Sequence, residues 1–382
     1  MNISGLDSCA NCGACLNICP KDAISIKKEG LFYTPSVNVE LCVECGRCVS
    51  VCPIQAELSS SVVMSAYAGW HKVSDVVDAS SSGGAFHALA KDILEDGGIV
   101  FGAVYSQDCK EVIFASTDDV LLSQLQKSKY VESLVCDAFR RIRVELEHGR
   151  RVMFCGTPCQ AAGLKAFLGR DYAKLLICDF ACGGLPSHKI YQHYLTDLER
   201  KYNSKVELVD FRPKTHGWKR HAMLIRFKNH KKYLRLGTED MFLRVFVHGR
   251  LSVRDYCMNC KFSECHVSDL TIADCWLHNK LTNRYNSNGM SLILCNTDKG
   301  SSAINSMEQH FVLQELDVNA ASYNNKHIQA SNMDLEKRDT FLKAFEKAGL
   351  RSAYEDTYHD SVIYRLRCWA SRLIHNCKRG KE

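Results

Sequence analysis

Eight of the 21 cysteines fall in two runs of one pattern. Cys9, Cys12, Cys15 and Cys19 are followed by Pro20, and Cys42, Cys45, Cys48 and Cys52 by Pro53. A glycine follows the second cysteine of each run, Gly13 and Gly46, so the runs form an internal repeat. Thiols two residues apart on one loop suit a shared metal centre better than disulfides between distant segments. A [4Fe–4S] cube needs four thiolates at the corners of a tetrahedron, and one tight loop can supply three. The alternative is zinc on eight cysteines, but zinc sites usually pair two CxxC units rather than two triplets each followed by Cys-Pro.

The segment up to about residue 58 resembles bacterial two-cluster ferredoxins, in which the last cysteine of each run crosses to the other cluster. That resemblance assigns one [4Fe–4S] cluster to Cys9, Cys12, Cys15 and Cys52, and a second to Cys42, Cys45, Cys48 and Cys19. Between the runs, Asp22 to Tyr33 alternates in polarity around a charged turn with Gly30, which predicts a hairpin.

Over 300 residues follow, so the clusters are expected to feed something. Ser80 to Phe86 is a small-residue turn before a helical pattern through Leu89, Ile93 and Leu94. Amides at such a helix start can hold an anion such as a pyrophosphate. Strands are predicted at 99–105, 151–155 and 175–179, and a helix at roughly 134–148. The strand at 151–155 runs into Gly156-Thr157-Pro158-Cys159-Gln160, and the next into Cys182-Gly183-Gly184-Leu185-Pro186. Strand, glycine-rich turn, helix and strand predict an α/β layer with a site at the strands' carboxyl ends.

Ser82-Gly83-Gly84, Ser128-Lys129-Tyr130 and the two glycine-rich turns occur together in an order and spacing that resemble the coenzyme F420 hydrogenase/dehydrogenase beta-subunit family. That family includes the beta subunits of F420-reducing hydrogenase and F420-linked formate dehydrogenase, and plant 7-hydroxymethyl chlorophyll a reductase. The likeness runs from residue 1 to about 310 and implies an FAD-binding iron–sulfur flavoprotein. It places FAD against Ser82, Gly83, Gly84 and Ala85, with Lys129 and Tyr130 near its ring or pyrophosphate. Gly156, Thr157, Pro158, Cys159 and Gln160 would line the flavin.

Farther on, Asp210 to Lys219 is a turn-rich segment around Gly217-Trp218, readable as a substrate loop or as a loop anchored by its tryptophan. Arg254 precedes Cys257 and Cys260, and a strand ends in Ala273-Asp274-Cys275-Trp276. The family usually has Gly-Asp-Phe-Trp there, so Ala273 and Cys275 are departures, and Asp274 with Lys129 is a candidate for catalysis. His216 and His221 are further candidate proton donors. Relatives carry an additional cluster near the flavin, and Cys159 and Cys182 are the best partners for Cys257 and Cys260 in a third [4Fe–4S] site. The rival there is zinc on Cys257, Cys260, Cys265 and His266.

The expected fold is α+β. It joins an N-terminal ferredoxin-like domain (1–58) to a mixed α/β FAD-binding body (64–150 and 151–320) and a helical, basic tail (321–382). The tail could lie on an anionic membrane surface or on a partner. No run of about 18 apolar residues occurs, as a membrane-spanning helix would need. Met1-Asn2-Ile3-Ser4 leads into the cysteines with no signal-like pattern. A cytoplasmic location, or one at the membrane's inner face, is therefore expected. The net charge of +6 is too small to argue for nucleic acid. The expected partners are a ferredoxin-like or dehydrogenase redox protein and a small-molecule substrate, either F420-like or a polysaccharide-biosynthesis intermediate. The alternative is a non-catalytic electron-transfer subunit of a larger complex.

Overall fold

The computed structural model describes residues 2–5, 8–56, 62–263, 267–276, 278–323 and 334–357. The tail from 358 onward, with its proposed membrane contact, lies outside the described residues.

The ferredoxin-type segment holds the expected hairpin. Its strands β1 (Ile24–Lys27) and β2 (Thr34–Val37) pair antiparallel, Ile24 opposite Val37. Each cysteine run turns into a short helix, Ala14–Ile18 or Arg47–Ser50, through a left-handed glycine: Gly13 at φ +81° and Gly46 at +72°. Asn11 and Glu44, two positions earlier, are also left-handed, at +53° and +50°. The repeat is therefore one of backbone as well as sequence. Gly13 has a second reason to lack a side chain, since a Cβ there would lie 2.7 Å from Val135 Cβ.

The strands of the body are β3 (Ser65–His71), β4 (Ile99–Tyr105), β5 (Val112–Ser116), β6 (Ser133–Leu134), β7 (Val152–Gly156) and β8 (Leu175–Phe180), then β9 (Val206–Asp210), β10 (Ala222–Phe227), β11 (Lys232–Leu236), β12 (Leu270–Asp274), β13 (Ser291–Cys295) and β14 (Phe311–Leu316). Nine make one mixed sheet in the order β14-β3-β13-β12-β8-β7-β4-β5-β6. At its centre β12, β8, β7 and β4 are parallel. These strands come from both sides of residue 150, so the two body segments share one sheet. The helix predicted from 134 begins at Ala138, because Ser133 and Leu134 pair with β5 instead.

Helices cover both faces of the sheet, as buried parallel strands require. Ala85–Glu95 and Asp298–Met307 pack on one face; Ala138–Glu147 and Pro158–Leu168 pack on the other. The three-stranded sheet β11-β10-β9 shares a separate core with the helix His188–Tyr202 and the C-terminal helix Leu335–Thr357. Among the described residues no helix is long and apolar enough to cross a membrane.

The ferredoxin-type segment is seated on the helix Pro158–Leu168. A Cβ on Gly163 of that helix would lie 3.0 Å from Cys12 Cβ and 3.1 Å from its sulfur. In an open helix, Gly163→Ala would stabilise by about 1 kcal/mol. Here we expect the reverse, a lower melting temperature, because the Cys12 loop would have to shift. A variant that melts higher than the parent would contradict this packing.

Candidate redox centres

Twelve of the 21 cysteines form three groups of four. In the first, burial pushes the Cys12 thiol up to about 12, with Cys9 and Cys52 adding to the shift. Burial likewise raises Cys15, again with Cys12, Cys9 and Cys52 adding to it. The four stand within electrostatic reach of one another. The second group, Cys19, Cys42, Cys45 and Cys48, lines one cavity with Gly46 and Arg47. Backbone amides face the sulfurs: Asn11 N–H donates to Cys9 at 3.2 Å and Ala23 N–H to Cys19 at 3.3 Å. Such donors favour thiolates over thiols.

The third group lies at the carboxyl ends of the parallel strands. Cys159 opens the helix after β7, and Cys182 follows β8. Cys257 and Cys260 come from a short 3-10 turn and the residue that ends it. Burial raises Cys159 well above the ordinary thiol value, and Cys260, Cys182 and Cys257 add to the effect. Burial pushes Cys182 up to about 12 with Cys260 contributing, and raises Cys257 with Cys182 and Cys260 contributing. The Leu185 amide donates to the Cys257 sulfur at 3.3 Å. Thiols so buried resist ionisation unless a metal takes up the negative charge, so the donor set fits a metal centre. Among the described residues no three histidine, cysteine or acidic side chains crowd tightly enough to hold one ion. Cys265 and His266 of the zinc alternative lie outside the described residues.

The first and third groups adjoin. The Cys159 sulfur lies 3.6 Å from the Ala10 carbonyl, and Gly163, one turn along the same helix, touches Cys12. Arg254 sits between the groups, with Cys9 and Cys257 both acting on its charge.

Most of the residues expected to meet a flavin gather around the 81–85 turn and the 128–130 loop. Ser128 donates through N–H and hydroxyl to Ser81 Oγ, at 2.9 and 3.1 Å, which joins the 82–85 turn to the 128–130 loop. Gly84, at φ +92°, starts the helix Ala85–Glu95 with no side-chain cap. Gly83 is required by the fold itself, since a Cβ there would lie 2.4 Å from Gly69 O. Lys214 Nζ donates to Ser82 O at 2.8 Å, and burial brings its amine down to about 8. Lys129 Nζ folds onto carbonyls of its own turn, with Gln126 O at 2.7 Å. Burial lowers its amine to about 7, while Cys155 and Asp210 act in the opposite direction. Tyr130 accepts from Arg212 Nη1 at 3.3 Å and packs on Phe211 and Phe246. An uncapped helix start with Lys214 and Arg212 around its turn has the electrostatics of a phosphate cradle. At the end of β7, Gly156 leads into a capping box: Thr157 N–H donates to Gln160 Oε1 at 3.0 Å, and Gln160 Nε2 donates to Ser133. Gln160 and Pro158 are thereby fixed as parts of a helix start.

Asp274, at the end of β12, is held by three donors. Arg212 grips both its oxygens at 2.9 and 3.1 Å, and Trp218 Nε1 donates to it at 2.9 Å. Arg212 and Trp218 hold the carboxyl below the usual range despite burial. Trp218 is buried and stacks on Trp276 at 5.3 Å, so the segment around it is anchored. His221 packs near Trp276 and bears on Asp274, while His216 sits in the half-buried turn Lys214–His216.

Residues 149–320 match the model of the C-terminal region of the coenzyme F420 hydrogenase/dehydrogenase beta subunit, and residues 8–56 match the 4Fe-4S dicluster domain. Residues 149–320 are thus similar to the C-terminal region of that beta subunit. Its N-terminal segment is an iron–sulfur cluster domain. A chain of the F420-reducing [NiFe] hydrogenase complex from Methanosarcina barkeri, studied by xenon derivatization, is 15% identical. That match covers 78% of this chain and 98% of that one, with a TM-score of 0.47. No curated protein matches the chain.

The sequence reading missed Glu132, His188 and Arg212, which carry no motif, and it missed Asp179. Asp179 is fully buried in β8 and lies close enough to affect Cys182. Burial pushes its carboxyl up to about 7, against the pull of the Thr271 and Ser268 hydroxyls. A raised value means the folded chain holds this proton more tightly than the unfolded chain. The carboxyl's contribution to stability is therefore full below about pH 4 and is lost as the pH climbs to about 7, a change of roughly 4 kcal/mol. Asp179→Asn cannot ionise. Its melting temperature relative to the parent should rise across that window and level off above it. A difference independent of pH would refute this.

Proposed function

We propose that the chain is an iron–sulfur flavoprotein oxidoreductase. It would pass electrons between a redox partner and a small substrate through three [4Fe–4S] clusters and FAD. The carrying observation is the convergence of Cys159, Cys182, Cys257 and Cys260 beside the first cysteine group, at the same sheet edge as the 82–85 and 128–130 turns. The proposed ligand sets are Cys9, Cys12, Cys15 and Cys52; Cys42, Cys45, Cys48 and Cys19; and Cys257, Cys260, Cys159 and Cys182. A bound FAD would supply exchange between hydride chemistry and single electrons. Ser82 to Ala85 and Lys214 would hold its phosphates. Lys129 would stand near its ring, and Asp274 would position Arg212 and Trp218 at the pocket wall.

The second cysteine group faces outward. Cys45 is exposed, and Val39, Leu41 and Val43 around it are exposed as well. An external donor or acceptor would dock there. This end also supports the second reading, an electron-transfer subunit that hands its electrons to a catalytic partner. Substrates of either F420 or polysaccharide-intermediate type remain compatible with the pocket's basic side chains.

The test is iron, sulfide and released flavin on anaerobically purified protein. About twelve irons with one FAD per chain supports the proposal, whereas about eight irons with FAD removes the third cluster. No flavin after reconstitution with FAD would overturn the flavoprotein reading. Turnover of a substrate with dithionite alone would favour the enzyme over the subunit.

A further inference from the structure

Two cysteines outside the three groups lie side by side. Cys155 of β7 and Cys178 of β8 are direct neighbours in a parallel pair. Both belong to the core on the same face of the sheet, with Cys178 inside it and Cys155 packed against it. Their thiols are within hydrogen-bonding reach of each other. Neighbouring strands stand about 4.7–4.9 Å apart, inside the range of roughly 4.4–6.8 Å that a disulfide needs between Cα atoms. The two are unequal. Cys178 is completely buried, whereas Cys155 is partly exposed and close enough to the Lys129 amine to act on its charge. Cys155 is therefore the thiol that an outside reagent reaches first.

We propose that Cys155 and Cys178 are a redox-active dithiol, with Cys155 attacking an external small-molecule disulfide and Cys178 resolving the product. The Cys155 thiolate attacks one sulfur of the small disulfide. That S–S bond breaks, one small thiolate leaves, and a mixed disulfide remains on Cys155. Cys178 sulfur then attacks Cys155 sulfur, and the second small thiolate leaves. The two protons given up by the cysteines go to the two leaving thiolates. Two cysteine thiols lose two electrons, and one small disulfide becomes two thiols. The new bond would tie β7 to β8 four residues ahead of Cys159 and four ahead of Cys182, and would change the surroundings of Lys129. Thiol status would thereby be read at the strand ends that carry half of the third group.

Oxidised glutathione is the probe. The anaerobic full-length protein is exposed to it, quenched with an alkylating agent and digested without reductant for mass spectrometry. A Cys155–Cys178 peptide lighter than the two thiols by two hydrogens, reopened by excess reduced glutathione, is the expected result. Cys178→Ser should stop at a glutathione adduct on Cys155, and Cys155→Ser should leave Cys178 without an adduct. Should a variant fail to fold, the parent's linked peptide still decides. Full alkylation of both cysteines in the exposed parent, or an adduct on Cys178 in Cys155→Ser, would overturn the proposal.

Discussion

Glu132→Ala should destabilise the protein by about 3–5 kcal/mol, the cost of leaving one member of a buried ion pair without its partner. Glu132 is wholly buried and takes four hydrogen bonds. Tyr33 N–H donates at 3.0 Å, His188 Nδ1 lies at 2.7 Å and His188 N–H at 3.4 Å, and Arg254 Nη2 donates at 2.8 Å. Arg254 also donates to the carbonyls of Cys9, at 3.2 Å, and Tyr33. His188 stacks on the Tyr33 ring at 3.8 Å. Tyr33 and Cys9 belong to the ferredoxin-type segment and His188 and Arg254 to the body, so the Glu132–Arg254 pair is a joint between them. Loss of Glu132 should therefore lower the melting temperature of the anaerobic protein and speed proteolytic release of the N-terminal segment. Arg254→Ala should do the same. The double variant should lose less than the two single losses combined, because each single change leaves a charge that the double removes. Strict additivity would show that the pair does not act as a unit. Arg254→Met should also lower the reduction potential of the neighbouring clusters, since a positive charge beside them favours the electron-rich state.

The parts of this architecture that could be read from sequence are those whose cause is local. Two cysteine triplets with their glycines specify the loops, because a left-handed residue must precede each short helix, and Gly13 and Gly46 supply it. The strands β4, β7 and β8 were legible as short apolar runs, since strands buried on both faces need little else. What pairs with what was not legible. The antiparallel insertion of β13 between β12 and β3 follows from the packing of segments more than 200 residues apart, and no turn signal records it. Glu132 and Arg254 are 122 positions apart, and neither stands in a pattern that names the other. Some glycines read for one reason and serve another. Gly83 reads as part of a phosphate turn, yet the approach of Gly69 O alone excludes a side chain. Gly163 gives no signal at all, because only the docked Cys12 loop makes its bareness necessary. Lys129 and Asp274 stand out in the sequence as reactive groups. Asp274 is gripped by Arg212 and Trp218, a hold that no motif records.

The third cysteine group should account for about four of the irons, and serine in place of Cys182 or Cys260 should remove them while the other eight remain. The reason for so selective a loss is the layout of the sheet. Cys159 and Cys182 follow the ends of the adjacent parallel strands β7 and β8, and the turn with Cys257 and Cys260 reaches the same edge through Arg254, whose N–H donates to Leu185 O at 3.0 Å. Each ligand has its own rigid support, so the loss of one thiolate should empty the centre without unfolding the others. Cys295→Ser is the control. That cysteine is buried in β13 and faces the Ser301 hydroxyl at 3.3 Å, away from all three groups, so its variant should keep the full iron content. The electronic consequence separates a relay from a bystander. If electrons from the ferredoxin-type clusters travel by way of this centre, Cys182→Ser with FAD bound should still accept electrons from dithionite at the first two clusters. Their arrival at the flavin should slow by orders of magnitude, read by stopped-flow absorbance. Flavin reduction at the parental rate in a variant lacking those four irons would rule the centre out of the route.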